Sequence, residues 1–377
     1  MKKNLIGKDH RLGILGGGQL GRMFIQSAIN YNIDVHIMEN DVNAPSASSA
    51  TSFTLGDITN FDDVIKFGSS LDVLTVEIEN VNIKALYQLE KQGVQVYPQA
   101  RVLEIIKDKG IQKEFYEKHG IPTSKFSFVK EGDDLAAKLP FVQKIRTGGY
   151  DGQGVQVVKS SSDLNSLFNA PSIIEELVPF TKELSVIVAR NKNGDTKAYQ
   201  TVECQFNDVN LVEFLFSPAD VTDEIERRAI KLAIDVIEKL DMIGILAVEF
   251  FLLKNGDLLI NEVAPRPHNS GHHTIECNAT SQFEQHLRSI LNLPLGSTEM
   301  VRFGAMINLL GAENHFGKAI YQGLENTISL PCVYVHLYGK SQTKPNRKMG
   351  HITVTNSSLD EAKKTASLVK EQIKVIS

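Results

Sequence analysis

Apolar positions in the first hundred residues fall in short runs, each followed by a stretch of helical period. Arg11-Leu12-Gly13-Ile14-Leu15 reads as a strand, 19–30 as a helix, and Asp34-Val35-His36-Ile37-Met38 as the next strand. A helix near 62–67 leads to Val73-Leu74-Thr75-Val76-Glu77, and a helix over 83–91 to Val94-Gln95-Val96-Tyr97-Pro98. Strands alternating with helices predict a parallel sheet covered on both faces. From about residue 101 the pattern changes. A helical period over 103–119 stops at Pro122, and shorter strands with a glycine-rich loop follow from 126 to about 189, a small α+β lobe. A helix over 225–240 sets Ile230, Ala233, Ile234 and Ile237 on one stripe. Beyond Gly296, Val333-Tyr334-Val335-His336-Leu337 alternates as a strand, and Ser358-Leu359-Asp360-Glu361 opens a last helix with a capping box. The expected organisation is an α/β unit over 1–103, a small α+β lid lobe over 104–189 and a larger unit over 190–377.

Composition narrows the class. At 377 residues the chain exceeds one ordinary core. Its 42% apolar and 23% charged residues are those of a soluble globular protein, and a net charge of −5 gives no footprint for nucleic acid. No apolar run is long enough for a transmembrane helix. Charge interrupts the N-terminal residues, against a signal peptide. Cys204, Cys277 and Cys332 lie far apart in no metal-ligand spacing, which fits a reducing cytoplasm.

The chemistry centres on a predicted hairpin. Ile245-Leu246-Ala247-Val248-Glu249-Phe250-Phe251-Leu252-Leu253 and Leu258-Leu259-Ile260-Asn261-Glu262-Val263-Ala264 are apolar strands flanking Lys254-Asn255-Gly256-Asp257. A two-residue turn at Asn255-Gly256 would set 253 opposite 258, 251 opposite 260, and Glu249 opposite Glu262. Like charges so placed need a cation between them or a shared proton, and Mg2+ is the simplest answer. A one-residue slip or bulge, the alternative, would put the two carboxylates on opposite faces. Next comes Pro265-Arg266-Pro267-His268-Asn269-Ser270-Gly271-His272-His273, in which an Arg restrained by flanking prolines suits bidentate capture of an anion. A polar loop capping a sheet edge is the blander reading.

Two glycine-rich turns stand apart from this cluster. Gly16-Gly17-Gly18-Gln19-Leu20-Gly21 follows a strand and opens a helix, and Glu39 closes the next strand where a ribose-binding acid belongs. That pattern keeps a nicotinamide dehydrogenase, or a plain tight turn, in play. Lys144-Ile145-Arg146-Thr147-Gly148-Gly149-Tyr150-Asp151-Gly152-Gln153-Gly154 places a cation before four glycines, suited to wrapping a polyphosphate and to closing as a lid. It is not a Walker loop, and Asp151 is an odd neighbour for phosphate, which points to work on another substrate. Ile173-Ile174-Glu175-Glu176-Leu177-Val178-Pro179-Phe180 with Glu183 reads either as an acidic strand end or as an adenosine-binding strand, its backbone at Leu177 facing the base.

Together these stretches resemble the ATP-grasp superfamily, and within it the N5-carboxyaminoimidazole ribonucleotide synthetases. The resemblance also rests on Val76-Glu77-Ile78-Glu79-Asn80-Val81, on His336-Leu337-Tyr338-Gly339-Lys340 and on Arg347-Lys348-Met349-Gly350-His351. It implies a Rossmann-like N-terminal domain, a small mobile lid and a C-terminal ATP-grasp domain. It also implies a reaction: ATP activates bicarbonate as carboxyphosphate, which the amine of 5-aminoimidazole ribonucleotide attacks. By the same resemblance, Lys107 and Lys144 would meet the nucleotide phosphates. Gly149, Tyr150, Asp151, Gly152, Gln153 and Gly154 would cover them. Glu175, Glu176, Leu177, Val178, Glu183, Asn261 and Glu262 would complete the ATP site. Glu249, Glu262 and Asn269 would hold Mg2+ or Mn2+. Arg266 and His268 would take bicarbonate, and Asp151 with Lys340 would act on the amine. Gln19, Leu20, Glu77, Lys340, Arg347 and Lys348 would bind the ribonucleotide. The resemblance implies a cytoplasmic homodimer without biotin, membrane or nucleic-acid partners. Glu203-Cys204-Gln205-Phe206-Asn207, Val212 and Lys344 depart from the family pattern, leaving a nucleotide contact near 203–213 open.

Within the superfamily, a formate-dependent transformylase or a biotin carboxylase is the near rival. Arg347-Lys348-Met349-Gly350-His351 favours the imidazole substrate, and no biotinyl lysine is in view. A silent nucleotide sensor would lose Asp151 or Arg266; both are present.

Overall fold

β1 (Leu12–Leu15), β2 (Val35–Glu39), β3 (Ser52–Leu55), β4 (Val73–Val76) and β5 (Gln95–Val96) form an all-parallel sheet ordered β3-β2-β1-β4-β5. This computed structural model describes residues 10–130, 133–149, 153–207 and 211–377. Leu12, Ile14, Val35 and Ile37 pack on one face against Met23 and Phe24 of helix α1 (Gln19–Ile29). Leu15, Met38, Leu74 and Val76 pack on the other against α2 (Phe61–Gly68) and α3 (Ile83–Lys91). Burial on both faces is what the near-continuous apolar runs encode. β3 carried no such signal because three of its four residues are exposed.

The single helix expected over 103–119 is instead two, α4 (Ala100–Lys107) and α5 (Lys109–Lys118). Asp108 leaves helical geometry between them, and its side chain accepts from the backbone N–H of Gly110 and Ile111. An Asp cap competes with helix continuation, and Gly110 lowers the local propensity further.

β6 (Phe126–Phe128), β7 (Phe141–Ile145), β8 (Val155–Val158) and β9 (Ser172–Glu176) form an antiparallel sheet ordered β6-β9-β7-β8. β10 (Phe180–Arg190) leaves it and joins a nine-stranded sheet, so the small sheet ends at Glu176, not near 189. That larger sheet adds β11 (Thr196–Ala198), β12 (Val202–Phe206), β13 (Val212–Ser217), β14 (Gly244–Leu253) and β15 (Leu258–Ala264). Strands Phe303–Leu310, Lys348–Asn356 and Val333–Leu337 complete it, and β15 lies at one edge. Helix α6 (Asp223–Lys239) covers β10, β14 and β15, burying Ala229, Ala233, Val236 and Ile237. Ile230 and Ile234 of the expected stripe sit only partly buried at its margin.

Helix Gln282–Ile290 places Phe283, Leu287 and Ile290 in the same cluster as α1, with His286 Nε2 2.9 Å from Thr75 Oγ1 of β4. It thereby fixes the N-terminal sheet to the body carrying the hairpin. The last helix, Leu359–Gln372, begins where expected but without its capping box. Ser358 makes no cap hydrogen bond, and Glu361 pairs with Lys364 at 2.6 Å instead of reaching back.

Candidate active site

The hairpin forms, but its turn differs from the expected one. Leu253 N–H donates to Asp257 C=O and Gly256 N–H to Leu253 C=O, so three residues make the loop and Gly256 takes φ 85°. Only glycine adopts that conformation without penalty. Pairing therefore starts one residue off the predicted register, with 252 opposite 258 and 250 opposite 260. A bulge then opposes Glu249 to both Asn261 and Glu262, and beyond it 248 meets 263 as the predicted register requires. Val248, Phe250, Ile260 and Val263 all enter the core, so the bulge turns Asn261 and Glu262 together onto the face that Glu249 occupies. Turn and bulge offset each other. The two carboxylates share a face because the strand contains both irregularities.

Cations crowd this face. Lys109, the first residue of α5, pairs with Glu262. Lys144 Nζ reaches Asn261 Oδ1 at 2.8 Å and Glu175 Oε1 at 3.1 Å, and Lys113 Nζ lies 3.2 Å from Glu175 Oε2. Burial alone would raise Glu175, but Lys144 and Lys113 hold it below the usual carboxylate range. Glu249 Oε1 lies 3.7 Å from His268 Nδ1, and the pull of Lys109 and Lys348 on it is smaller than the effects that oppose ionisation. Burial lifts its carboxyl, and repulsion from Glu262 and Glu183 lifts it further, while Lys109 holds Glu262 low. Burial raises Glu183 to about 7 against the pull of Lys144. Two carboxylates on one face, one of them short of positive charge, are hard oxygen donors suited to Mg2+. Among the described residues no group of three His, Cys, Asp or Glu side chains clusters as a metal site. An ion here would draw its remaining ligands from phosphate and water. Asn269, the expected third ligand, exchanges hydrogen bonds with the buried Asn308 amide at 2.8 and 2.9 Å, which fixes its orientation beneath the loop.

The Asp108 break positions this cation layer. Arg146, on the strand side of the lid loop, holds Asp108 through Nε and Nη2 at 3.0 and 2.6 Å. Lys109, Lys113, Asp108, Asn308 and Glu79, whose carboxylate pairs with Arg266, are pieces that residue patterns missed; only Asp-Lys-Gly at 108–110, a cap sequence inside a helical period, offered a signal. Lys107, expected on phosphate, donates to Val81 C=O at 3.0 Å. Gly149, Gln153 and Gly154 close the lid loop, where Ile145 N–H donates to Gly154 C=O. Tyr150, Asp151 and Gly152 lie outside the described residues. Val178 is buried, Leu177 half-buried and Glu176 exposed.

In the loop after the hairpin, Arg266 Nε lies 3.0 Å from Glu79 Oε1, reaching back to the N-terminal unit. His268 Nδ1 lies 2.9 Å from Ser270 Oγ and 3.7 Å from Glu249 Oε1, and Ser270 Oγ is 2.8 Å from Ser185 Oγ. His268, expected at bicarbonate, and Glu249, expected at the metal, therefore share one network with Ser270 and Ser185. At the other end, Lys340 Nζ donates to Lys348 C=O at 2.8 Å and Arg347 Nη1 to Gln342 C=O at 2.8 Å. Lys348 is near enough to Glu249 to weaken the lift on its carboxyl.

The first glycine turn holds carboxylates of the chain itself. Glu77 accepts from Gly18 and Leu20 N–H, and Glu39 Oε2 accepts from Gly17 N–H at 2.9 Å. A Cβ on Gly18 would lie 2.4 Å from Glu77 Oε1. The donors that a dinucleotide would need are taken, which removes the dehydrogenase reading. Leu20 buries its side chain in the core, while Gln19 stays half-buried at the helix start.

The chain matches known families along most of its length. Residues 10–107 match the ribonucleotide synthetase preATP-grasp domain, 114–283 the ATP-grasp domain and 304–365 the phosphoribosylaminoimidazole carboxylase C-terminal domain. The chain is 39% identical over 375 residues to the chloroplastic phosphoribosylaminoimidazole carboxylase of Vigna aconitifolia, covering 96% of this chain and 66% of that one. It thus spans about two thirds of the length of that relative. Against the N5-carboxyaminoimidazole ribonucleotide synthase of Bacillus subtilis it is 35% identical over 371 residues, 96% of this chain and 95% of the other. The Aspergillus clavatus N5-carboxyaminoimidazole synthase, solved with ADP and 5-aminoimidazole ribonucleotide, superposes with a TM-score of 0.88 at 32% identity, covering 98% and 99% of the two chains. The chain belongs to the N5-carboxyaminoimidazole ribonucleotide synthase family of ATP-grasp ligases.

Proposed function

We propose that this ATP-grasp ligase converts 5-aminoimidazole ribonucleotide to N5-carboxyaminoimidazole ribonucleotide in purine biosynthesis, using ATP to activate bicarbonate as carboxyphosphate. The observation that carries the reading is the shared face of Glu249, Asn261 and Glu262, with Lys144 on one side and the Arg266–His268 loop on the other. Glu249 and Glu262, with Asn269 beneath, would hold Mg2+, which would supply neutralisation of phosphate charge. Lys144, set by Asn261 and Glu175, meets the transferred phosphate. Glu183 and the backbone at 177–178 take the adenosine. Arg266, aimed by Glu79, presents its remaining N–H groups to bicarbonate, with His268 beside it. Lys340, Arg347 and Lys348 bind the ribonucleotide phosphate, and Gln19 and Leu20 border its sugar. Asp151, helped by Lys340, orients or deprotonates the amine as the C–N bond forms and phosphate leaves.

The test is phosphate release with each component omitted in turn. Release should require Mg2+, bicarbonate and 5-aminoimidazole ribonucleotide together. Turnover with formate and glycinamide ribonucleotide instead would move the assignment to a transformylase. Asp151→Asn should keep ATP binding and lose carboxylation; an unimpaired variant removes Asp151 from its role. A cytoplasmic homodimer belongs to the same reading, checked by light scattering of the purified chain.

A further inference from the structure

Three sequence motifs that carry the binding groups each end or begin in a histidine that the reaction leaves unused. His272 closes the loop holding Arg266 and His268, His336 begins the run to Lys340, and His351 follows Lys348 by three positions. The structure stacks these three rings. His272 and His351 lie 4.6 Å apart at 29°, and His351 and His336 4.4 Å apart at 10°. His336 and His351 are cross-strand partners in the large sheet, whereas His272 arrives from the loop after the hairpin. Each ring has its own anchor. Gln282 Nε2 lies 3.0 Å from His272 Nδ1, Tyr338 Oη 3.0 Å from His351 Nδ1, and Glu276 Oε1 2.7 Å from His336 Nε2. His272 and His351 are 1% and 0% exposed. Burial drives both well below the ordinary imidazole range, so they stack as neutral rings.

We propose that the His272–His351–His336 stack is a positioning element, which sets the distance between the bicarbonate loop and the cations that hold the ribonucleotide. This rests on the function proposed above. Carboxyphosphate has two fates. The amine can attack its carbon, forming the C–N bond and expelling phosphate, or water can attack, returning bicarbonate and phosphate. Attack by the amine requires reacting atoms held about 3–3.5 Å apart, and displacements near 1 Å are severe. Water needs no such placement. A slack stack therefore diverts the intermediate to water while leaving nucleotide binding intact.

The experiment measures labelled bicarbonate fixed per phosphate released, with KM for each substrate. For His351→Ala the ratio should fall at least threefold and KM for the ribonucleotide rise about tenfold, with KM for ATP within twofold of wild type. His351→Phe, which restores a flat ring but not the Tyr338 contact, should recover most of the ratio. An unchanged ratio in His351→Ala, or equal rises in both KM values, overturns the proposal whatever the melting temperature. Should His351→Ala not fold, His336→Asn at the half-exposed end of the stack is read by the same criteria. Wild-type protein that fixes no bicarbonate would instead overturn the function itself.

Discussion

Glu249 concentrates the electrostatics of the cleft. Its folded carboxyl binds protons more tightly than in the unfolded chain, because burial and two neighbouring acids lift it. Such a group makes the fold less stable as pH rises from the ordinary carboxylate range through its raised value. In the absence of divalent cation, Glu249→Gln should therefore melt higher than wild type by an amount that grows between about pH 5 and 8, reaching about 1 kcal/mol. The same variant should lose at least a hundredfold in phosphate release. Equal pH profiles of melting for the two proteins would contradict the assignment of Glu249 as the uncompensated charge. Glu183, raised to about 7, works in the same direction. If, as proposed, Glu249 receives metal and Glu183 the ribose hydroxyls as carboxylates, KM for magnesium nucleotide should fall as pH climbs from 6 to 8.

The elements depend on local irregularities, and these decide what was legible beforehand. Buried strands and amphipathic helices were readable because apolar period follows directly from burial. The register of the hairpin was not, since Asn-Gly serves a two-residue turn and a three-residue loop equally well. The bulge at Asn261-Glu262 was invisible for a related reason: one extra residue leaves composition unchanged and alters only the pairing. The carboxylate pair was still found, because 248 and 263 return to the predicted register. The glycine-rich loop after Lys144 and the Pro-Arg-Pro-His loop stood out by residue type, whereas Lys109 reaches Glu262 only through the break at Asp108. Two changes test these points. Gly256→Ala, forced to φ 85°, should cost about 1 kcal/mol in urea unfolding while leaving kcat unchanged. Asp108→Ala removes both the helix cap and the Arg146 clamp, so it should lose about 1 kcal/mol and also raise KM for ATP severalfold.

Across the whole molecule, two parts distant in sequence meet at the cleft. Helix Gln282–Ile290 locks the N-terminal sheet onto the larger body, and Glu79 from the first unit holds Arg266 of the last. Glu79→Ala should raise KM for bicarbonate about tenfold, as Arg266 loses the ion pair that holds it, without touching KM for ATP. A matching rise for ATP would mean that the contact supports the fold and not the anion. The glycine turn filled by Glu77 and Glu39 has a consequence for inhibitor selectivity. Both carboxylates are tethered, so they compete with any added compound at an effective concentration in the millimolar range or higher. Pyrophosphate mimics that silence nicotinamide enzymes through this fingerprint should leave this ligase untouched, and useful chemistry must be directed at the carboxylate face.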